Sequence, residues 1–157
     1  MANLIDGKEV SAKVKSEVRD ETAKLKEQGI TVGLAVVIVG NNAASRVYVN
    51  SKKKACEEVG FNSYEYSLDE NITQQELLDL VDVLNNDDKV NGILVQLPLP
   101  KHIDENAIIN SISPDKDVDA FHPFNVGKIM IGEFAFLPCT PAGVMELIDS
   151  TGVDISG

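Results

Sequence analysis

Two spacings of hydrophobic residues alternate along the chain, and their order predicts the elements. Over residues 7–28 the apolar positions Val10, Val14, Val18 and Leu25 recur among lysines and glutamates as a helical stripe, which Gly29 stops. Residues 34–39 are a continuous, mostly β-branched run between Gly33 and Gly40, suited to a central parallel strand covered on both faces. A second helix is predicted over about residues 44–59, with Val47, Ala55 and Val59 inward and Gly60 at its end. A short strand over residues 64–68 precedes a helix opened by the capping box Thr73-Gln74-Gln75-Glu76, with Leu77, Leu80, Val81 and Leu84 on its inner face. Residues 92–97 read as another buried strand, stopped by Pro98 and Pro100, which cannot donate to a ladder. A helix near residues 106–112 ends before Ser113-Pro114. The last helix takes Thr140 as N-cap and Pro141 at its first position, turns Val144, Leu147 and Ile148 inward, and closes near Gly152.

Strands alternating with helices predict an α/β fold, a three-layer αβα arrangement around a mainly parallel sheet with right-handed crossovers. Residues 115–136 form the least regular stretch, where a functional loop is expected. No repeat, low-complexity segment or linker divides the chain.

Composition narrows the function classes. A chain of 157 residues, 43% hydrophobic and 25% charged, is the size of one globular domain with a genuine core. Its net charge of -11 repels phosphates, which argues against nucleic acid and anionic membranes as partners. No apolar run approaches the roughly 20 residues needed to span a bilayer. Residues 1–8 lack the basic-then-apolar order of a signal peptide, so the expected location is the cytoplasm, or an organelle lumen after processing. Two cysteines, Cys56 and Cys139, and two histidines, His102 and His122, are too few and too scattered for a zinc site or a disulfide framework.

Ligands in open α/β sheets sit at the carboxyl ends of the strands, so the segments after Val39 and Val95 are the places to search. After the first, Tyr48 and Lys52 lie four apart and share a helix face, an aromatic plate beside an ammonium. Spacing alone leaves two readings open: a heterocycle site, or an exposed pair beside the solvated basic face Lys52-Lys53-Lys54. After the second strand, Gln96 interrupts an apolar run and needs hydrogen-bond partners if buried, unless an edge position leaves its amide in water. In the irregular loop, a carboxylate of Asp117-Val118-Asp119 could accept paired hydrogen bonds from an amino-pyrimidine ring, although loop aspartates most often cap turns. The histidines read as surface or turn residues, and the cysteines as small core or loop residues rather than nucleophiles. Neither G-x-x-x-x-G-K-[ST] nor G-x-G-x-x-G follows a strand, so the chain carries no dinucleotide fingerprint.

The segments Tyr48-Val49-Asn50-Ser51-Lys52, Gly92-Ile93-Leu94-Val95-Gln96-Leu97-Pro98-Leu99-Pro100, Pro114-Asp115-Lys116-Asp117-Val118-Asp119 and Pro138-Cys139-Thr140-Pro141 together resemble the bifunctional methylenetetrahydrofolate dehydrogenase/cyclohydrolase family in order and spacing. The similarity covers essentially the whole chain, as that family's N-terminal, folate-binding catalytic domain. It implies tetrahydrofolate derivatives as substrates, Tyr48 stacked on the folate ring, Asp119 bonded to the pterin, Lys52 as the reactive centre and Gln96 holding its amine. It implies one-carbon metabolism feeding purine biosynthesis, in two steps: hydride transfer from methylenetetrahydrofolate to NADP or NAD, then hydrolysis of the methenyl product to 10-formyltetrahydrofolate. The family's Rossmann cofactor domain is expected after residue 157 and is absent from this chain. On that reading no cofactor is bound by these residues alone, dehydrogenase activity is lacking, and an exposed apolar patch favours association, a homodimer included. Ala120 departs mildly from the family, where many relatives carry glycine. Two rivals stand beside this reading: a lysine enzyme forming a Schiff base at Lys52, and a non-catalytic ligand-binding or interface module.

Overall fold

Nine elements follow one another in the computed structural model of the chain, which describes residues 4–155. The readings that touch residues 1–3 and 156–157, the N-terminal order and the chain end, lie partly outside those described. The elements are α1 (Gly7–Glu27), β1 (Gly33–Val39), α2 (Ala43–Val59), β2 (Asn62–Leu68), α3 (Gln74–Asn85), β3 (Gly92–Val95), α4 (Glu105–Ser111), α5 (Pro123–Met130) and α6 (Cys139–Asp149). The three strands form one parallel sheet in the order β2-β1-β3, pairing Gly33 with Asn62 on one side and Leu34 with Gly92 on the other.

β1 is the central strand because its side chains are apolar on both faces. One face, carrying Ala35, Val37 and Val39, packs with Leu77, Val81 and Leu84 of α3 and Ile108 of α4. The other, carrying Val36 and Ile38, packs with Val49 of α2. That is the expected αβα layering, with α1 lying over α2 as a second tier. Because α1 covers another helix rather than the sheet, its stripe of Val10, Val14, Val18 and Leu25 is only half-buried, and Thr22 is the buried residue.

The α3 capping box forms in full: the Thr73 hydroxyl accepts from the Glu76 N–H, and the Glu76 carboxylate accepts from the Thr73 N–H. Thr73→Ala is expected to cost about 1 kcal/mol, read as a lower urea midpoint at unchanged slope.

Several expectations need correction. The inward face of α2 is Ser45, Val49, Cys56 and Val59, and Val47 is 64% exposed. The stripe advances by four, seven and three residues, a helical rhythm in which Val47 falls between two inward positions. β3 ends at Val95, although the Gln96 N–H still donates to Val37 O at 2.8 Å and so prolongs the ladder by one bond. The irregular stretch contains α5, capped by His122, whose ring nitrogen accepts from the Phe124 N–H, with Pro123 at the first helical position. α6 starts at Cys139 with Pro138 as a cap that makes no side-chain bond, so Thr140 is inside the helix. No residue of α6 is buried, Leu147 and Ile148 are half-buried, and Val144 is exposed. Large apolar side chains stand exposed on α5, after it and on α6, among them Phe124, Met130, Ile131, Val144 and Met145.

Candidate active site

The carboxyl ends of the strands gather three of the four predicted site residues by direct contact. Lys52 belongs to the inward rhythm of α2, between Val49 and Cys56, and is half-buried where that stripe passes the end of the sheet. A charged side chain at such a position needs a partner. It finds one in Gln96, whose Oε1 accepts from Lys52 Nζ at 3.0 Å. The glutamine amide cannot turn freely, because its Nε2 donates to Leu97 O at 2.8 Å, which aims the carbonyl oxygen at the ammonium. Tyr48, one turn earlier on α2, is 63% exposed and presents its ring to Lys52, with Nζ 5.8 Å from the centroid. The arrangement is an amine held by an amide from below, flanked by an aromatic face open to solvent.

Asp119 comes from the loop after α4 and lies within electrostatic reach of Lys52. Its neighbour Asp117 is buried and already accepts from the His122 N–H and from Asn125 Nδ2. Among the described residues no group hydrogen-bonds the Asp119 carboxylate, so of the two aspartates it is the one available to a ligand.

Burial pushes the Asp119 carboxyl above its ordinary value; the Lys52 ammonium pulls it part of the way back, and the Asp117 carboxylate adds to the rise. A carboxyl raised on folding binds its proton more tightly in the folded chain. Its contribution to stability is therefore present below the ordinary value of 3.8 and is lost as the pH rises through the elevated folded value. Asp119→Asn is expected to raise the melting temperature at neutral pH and to flatten that loss, as thermal melts across acid and neutral pH would show. A native chain no less stable than the variant at neutral pH would contradict this.

Cys139 is the neighbour that spacing did not point to. It opens α6 and lies within electrostatic reach of both Asp119 and Lys52. Loss of water around the sulfur, and then the Asp119 carboxylate, hold the thiol above its ordinary value, with Lys52 pulling the other way. The Pro138-Cys139-Thr140-Pro141 segment carried the signal for this residue. Both histidines make structural contacts: His122 caps α5, and His102 Nε2 lies 2.9 Å from Ile72 O. Among the described residues no cluster of His, Cys, Asp and Glu could hold a metal ion.

These features define a class: an αβα domain with a lysine-centred site at the carboxyl ends of its parallel strands. The chain belongs to the tetrahydrofolate dehydrogenase/cyclohydrolase family, whose catalytic-domain model matches residues 5–119, a span that includes Tyr48, Lys52, Gln96 and Asp119. It is 65% identical over 156 residues to the bifunctional protein FolD of Acetivibrio thermocellus, covering 99% of this chain and 55% of the relative. The FolD of Ruminiclostridium cellulolyticum is 58% identical with the same coverage. The crystal structure of the bifunctional FolD from Campylobacter jejuni matches with a TM-score of 0.96 at 54% identity, over 99% of this chain and 55% of that one. That of the Trypanosoma brucei enzyme, complexed with NADP cofactor and inhibitor, matches with a TM-score of 0.94 at 40% identity, over 99% and 54%. The chain thus spans about half the length of the curated relatives it matches.

Proposed function

We propose that this chain is the folate-binding, catalytic half of an enzyme of one-carbon metabolism that oxidises 5,10-methylenetetrahydrofolate to the methenyl form and hydrolyses that to 10-formyltetrahydrofolate. The observation that carries the reading is the Lys52 amine, fixed 3.0 Å from Gln96 Oε1 beside the open face of Tyr48. In the proposed complex the folate ring system lies on Tyr48 and its amino-pyrimidine edge donates to Asp119. One carbon of the bound folate is then brought to Lys52.

Hydrolysis needs a water at that carbon and a group to manage its protons. As the water oxygen bonds to the methenyl carbon, Lys52, in its neutral amine form after releasing the ammonium proton to solvent, takes the proton the water loses, and Gln96 keeps the amine within reach. Opening of the five-membered ring then leaves the formyl group on one nitrogen and returns a proton to the other. Both reactions act on one carbon, so one positioned site serves them.

Oxidation requires NADP or NAD as hydride acceptor. The described residues do not fit such a cofactor: β1 runs into Gly40-Asn41-Asn42 and β3 into Gln96-Leu97-Pro98, and neither turn has the glycines that let backbone N–H groups cradle a pyrophosphate. The cofactor site is assigned to the length of the relatives that this chain does not span, and with it the choice between NADP and NAD. A cytoplasmic setting and a supply of one-carbon units to purine synthesis belong to the same proposal. No described helix is long and apolar enough to cross a membrane.

Calorimetric titration with a tetrahydrofolate analogue tests the folate assignment. One saturable site per chain is expected, weakened by Asp119→Ala and by Tyr48→Ala; a native chain with no saturable heat would sink the reading. Borohydride reduction with carbonyl compounds should leave no adduct on Lys52, which separates this chemistry from a Schiff-base enzyme.

A further inference from the structure

Of Asp117 and Asp119 in the loop after α4, Asp119 lies within electrostatic reach of Lys52, and Asp117 is buried at 2% exposure. A buried carboxylate is tolerated when its hydrogen bonds are met, and Asp117 meets them with two donors on one oxygen: Oδ2 accepts from the His122 N–H at 2.8 Å and from Asn125 Nδ2 at 2.9 Å. Asn125, on α5, is itself 7% exposed, and its Nδ2 also donates to Pro114 O at 2.9 Å. One amide therefore ties together the start of the loop, its middle and the helix that follows it.

Other anchors fix the same few residues. Lys116 Nζ donates to Leu84 O and Asp87 O, at the end of α3 and just beyond it, while its carbonyl accepts from the Ile93 N–H at 2.7 Å. Asp117 forms a single parallel bridge with Ile93, so the loop is stitched to the outer edge of β3. Val118 then turns onto the apolar cluster of Val36, Ile38 and Leu94, over Gly92, where a Cβ would stand 2.5 Å from the Val118 methyl. The Ala120 N–H returns to Asp117 O at 3.2 Å, and Ala120, wholly buried, adopts a left-handed φ of 55°. An alanine enters that region at a cost that the surrounding structure must impose. Every residue around Asp119 is thus held, while the Asp119 carboxylate is not.

We propose that the Asp117–Asn125 pair is a positioning latch that sets the direction of Asp119, making Asn125 a positioning residue for ligand binding although it lies outside the cleft. This rests on the reading of Asp119 as a folate ligand given above. The competing account is that the pair only stabilises α5, and the two differ in what they couple to. A residue acting through Asp119 loses its effect on binding once Asp119 is gone, whereas one that stabilises the fold does not.

The test uses the 157-residue chain with 5-formyltetrahydrofolate as the calorimetric probe, in the native background and in Asp119→Ala. Asn125→Ala should weaken binding about tenfold in the first and less than twofold in the second. Asn125→Ser, which shortens the reach to Asp117 but keeps a polar group, gives the same comparison if the alanine variant does not fold. Without ligand, amide exchange at Asp119 and Ala120 should quicken about tenfold in either variant while the amides of β1 keep their protection. Equal loss of affinity in both backgrounds, or unchanged exchange at Ala120, overturns the latch. If the native chain does not bind the probe, it is the folate reading that fails, and exchange at Ala120 then decides the latch alone.

Discussion

Lys52→Met is expected to reduce hydrolysis of methenyltetrahydrofolate by a factor of about 10² to 10⁴, the range that one positioned proton-transfer group contributes. The assay belongs in this domain joined to the remainder its relatives carry, so that both steps can be followed in one protein. Methionine keeps the length and flexibility of the lysine stem and removes the amine, so α2 has no steric reason to move. Folate-analogue binding should persist, because Tyr48 and Asp119 are untouched. Retained hydrolysis at the native rate would remove Lys52 from its proposed role. A second readout needs no substrate at all. The Lys52 ammonium is the group that pulls the Asp119 carboxyl down, against burial and Asp117. With that charge gone, Asp119 should titrate at a higher pH than in the native chain, as NMR of its carboxyl carbon would show. A titration that does not move would mean that the two groups are not electrostatically joined.

The same pair shows what the amino-acid sequence discloses and what it conceals. The apolar run of β1 and the capping box of α3 were legible because each is a local rule: a strand covered on both faces is apolar throughout, and a cap is a matter of residues three apart. The inward face of α2 was not, because an expectation built on apolar positions selects Val47, while the fold turns Ser45, Val49, Lys52 and Cys56 toward the sheet. Polar residues occupy an inward stripe where that stripe meets a ligand cleft, and hydrophobic periodicity reads them as outward. Gln96 was legible as an anomaly, a polar residue closing a buried strand, and its partner became visible once α2 was placed over the strand ends. The helix α5 was missed for a related reason: its cap is a histidine ring rather than a serine or aspartate, and it buries only Asn125. Which of Asp117 and Asp119 is buried and bonded within the fold shows in a contact eight residues along, from Asn125 to Asp117, and two carboxylates separated by a single valine do not declare it.

A second large effect concerns the sheet rather than the site, and it sets one substitution against itself. Gly33→Ala is expected to destabilise the chain by about 3 kcal/mol or more. Gly33 opens the central strand, and a Cβ there would overlap the backbone carbonyl of Lys89 and come within 2.9 Å of the Tyr64 ring. A flexible side chain could yield, but Lys89 is backbone in the turn that feeds β3. That turn is pinned to Gly33 twice, by the Asn91 N–H donating to Gly33 O and the Gly33 N–H donating to Asn91 Oδ1, both at 2.8 Å. Relieving the overlap means losing those bonds and disturbing the register that brings Gln96 to Lys52, so folate binding should fall along with stability. The control is the same change at Gly143, inside α6, where nothing lies within 4 Å of the added carbon. There alanine should stabilise by about 0.5–1 kcal/mol, because the helix interior no longer bears the entropy of glycine. Urea unfolding of the two variants beside the native chain decides both. If Gly33→Ala unfolds at the native midpoint, the packing between the start of β1 and the turn before β3 is not what holds the strand ends in register.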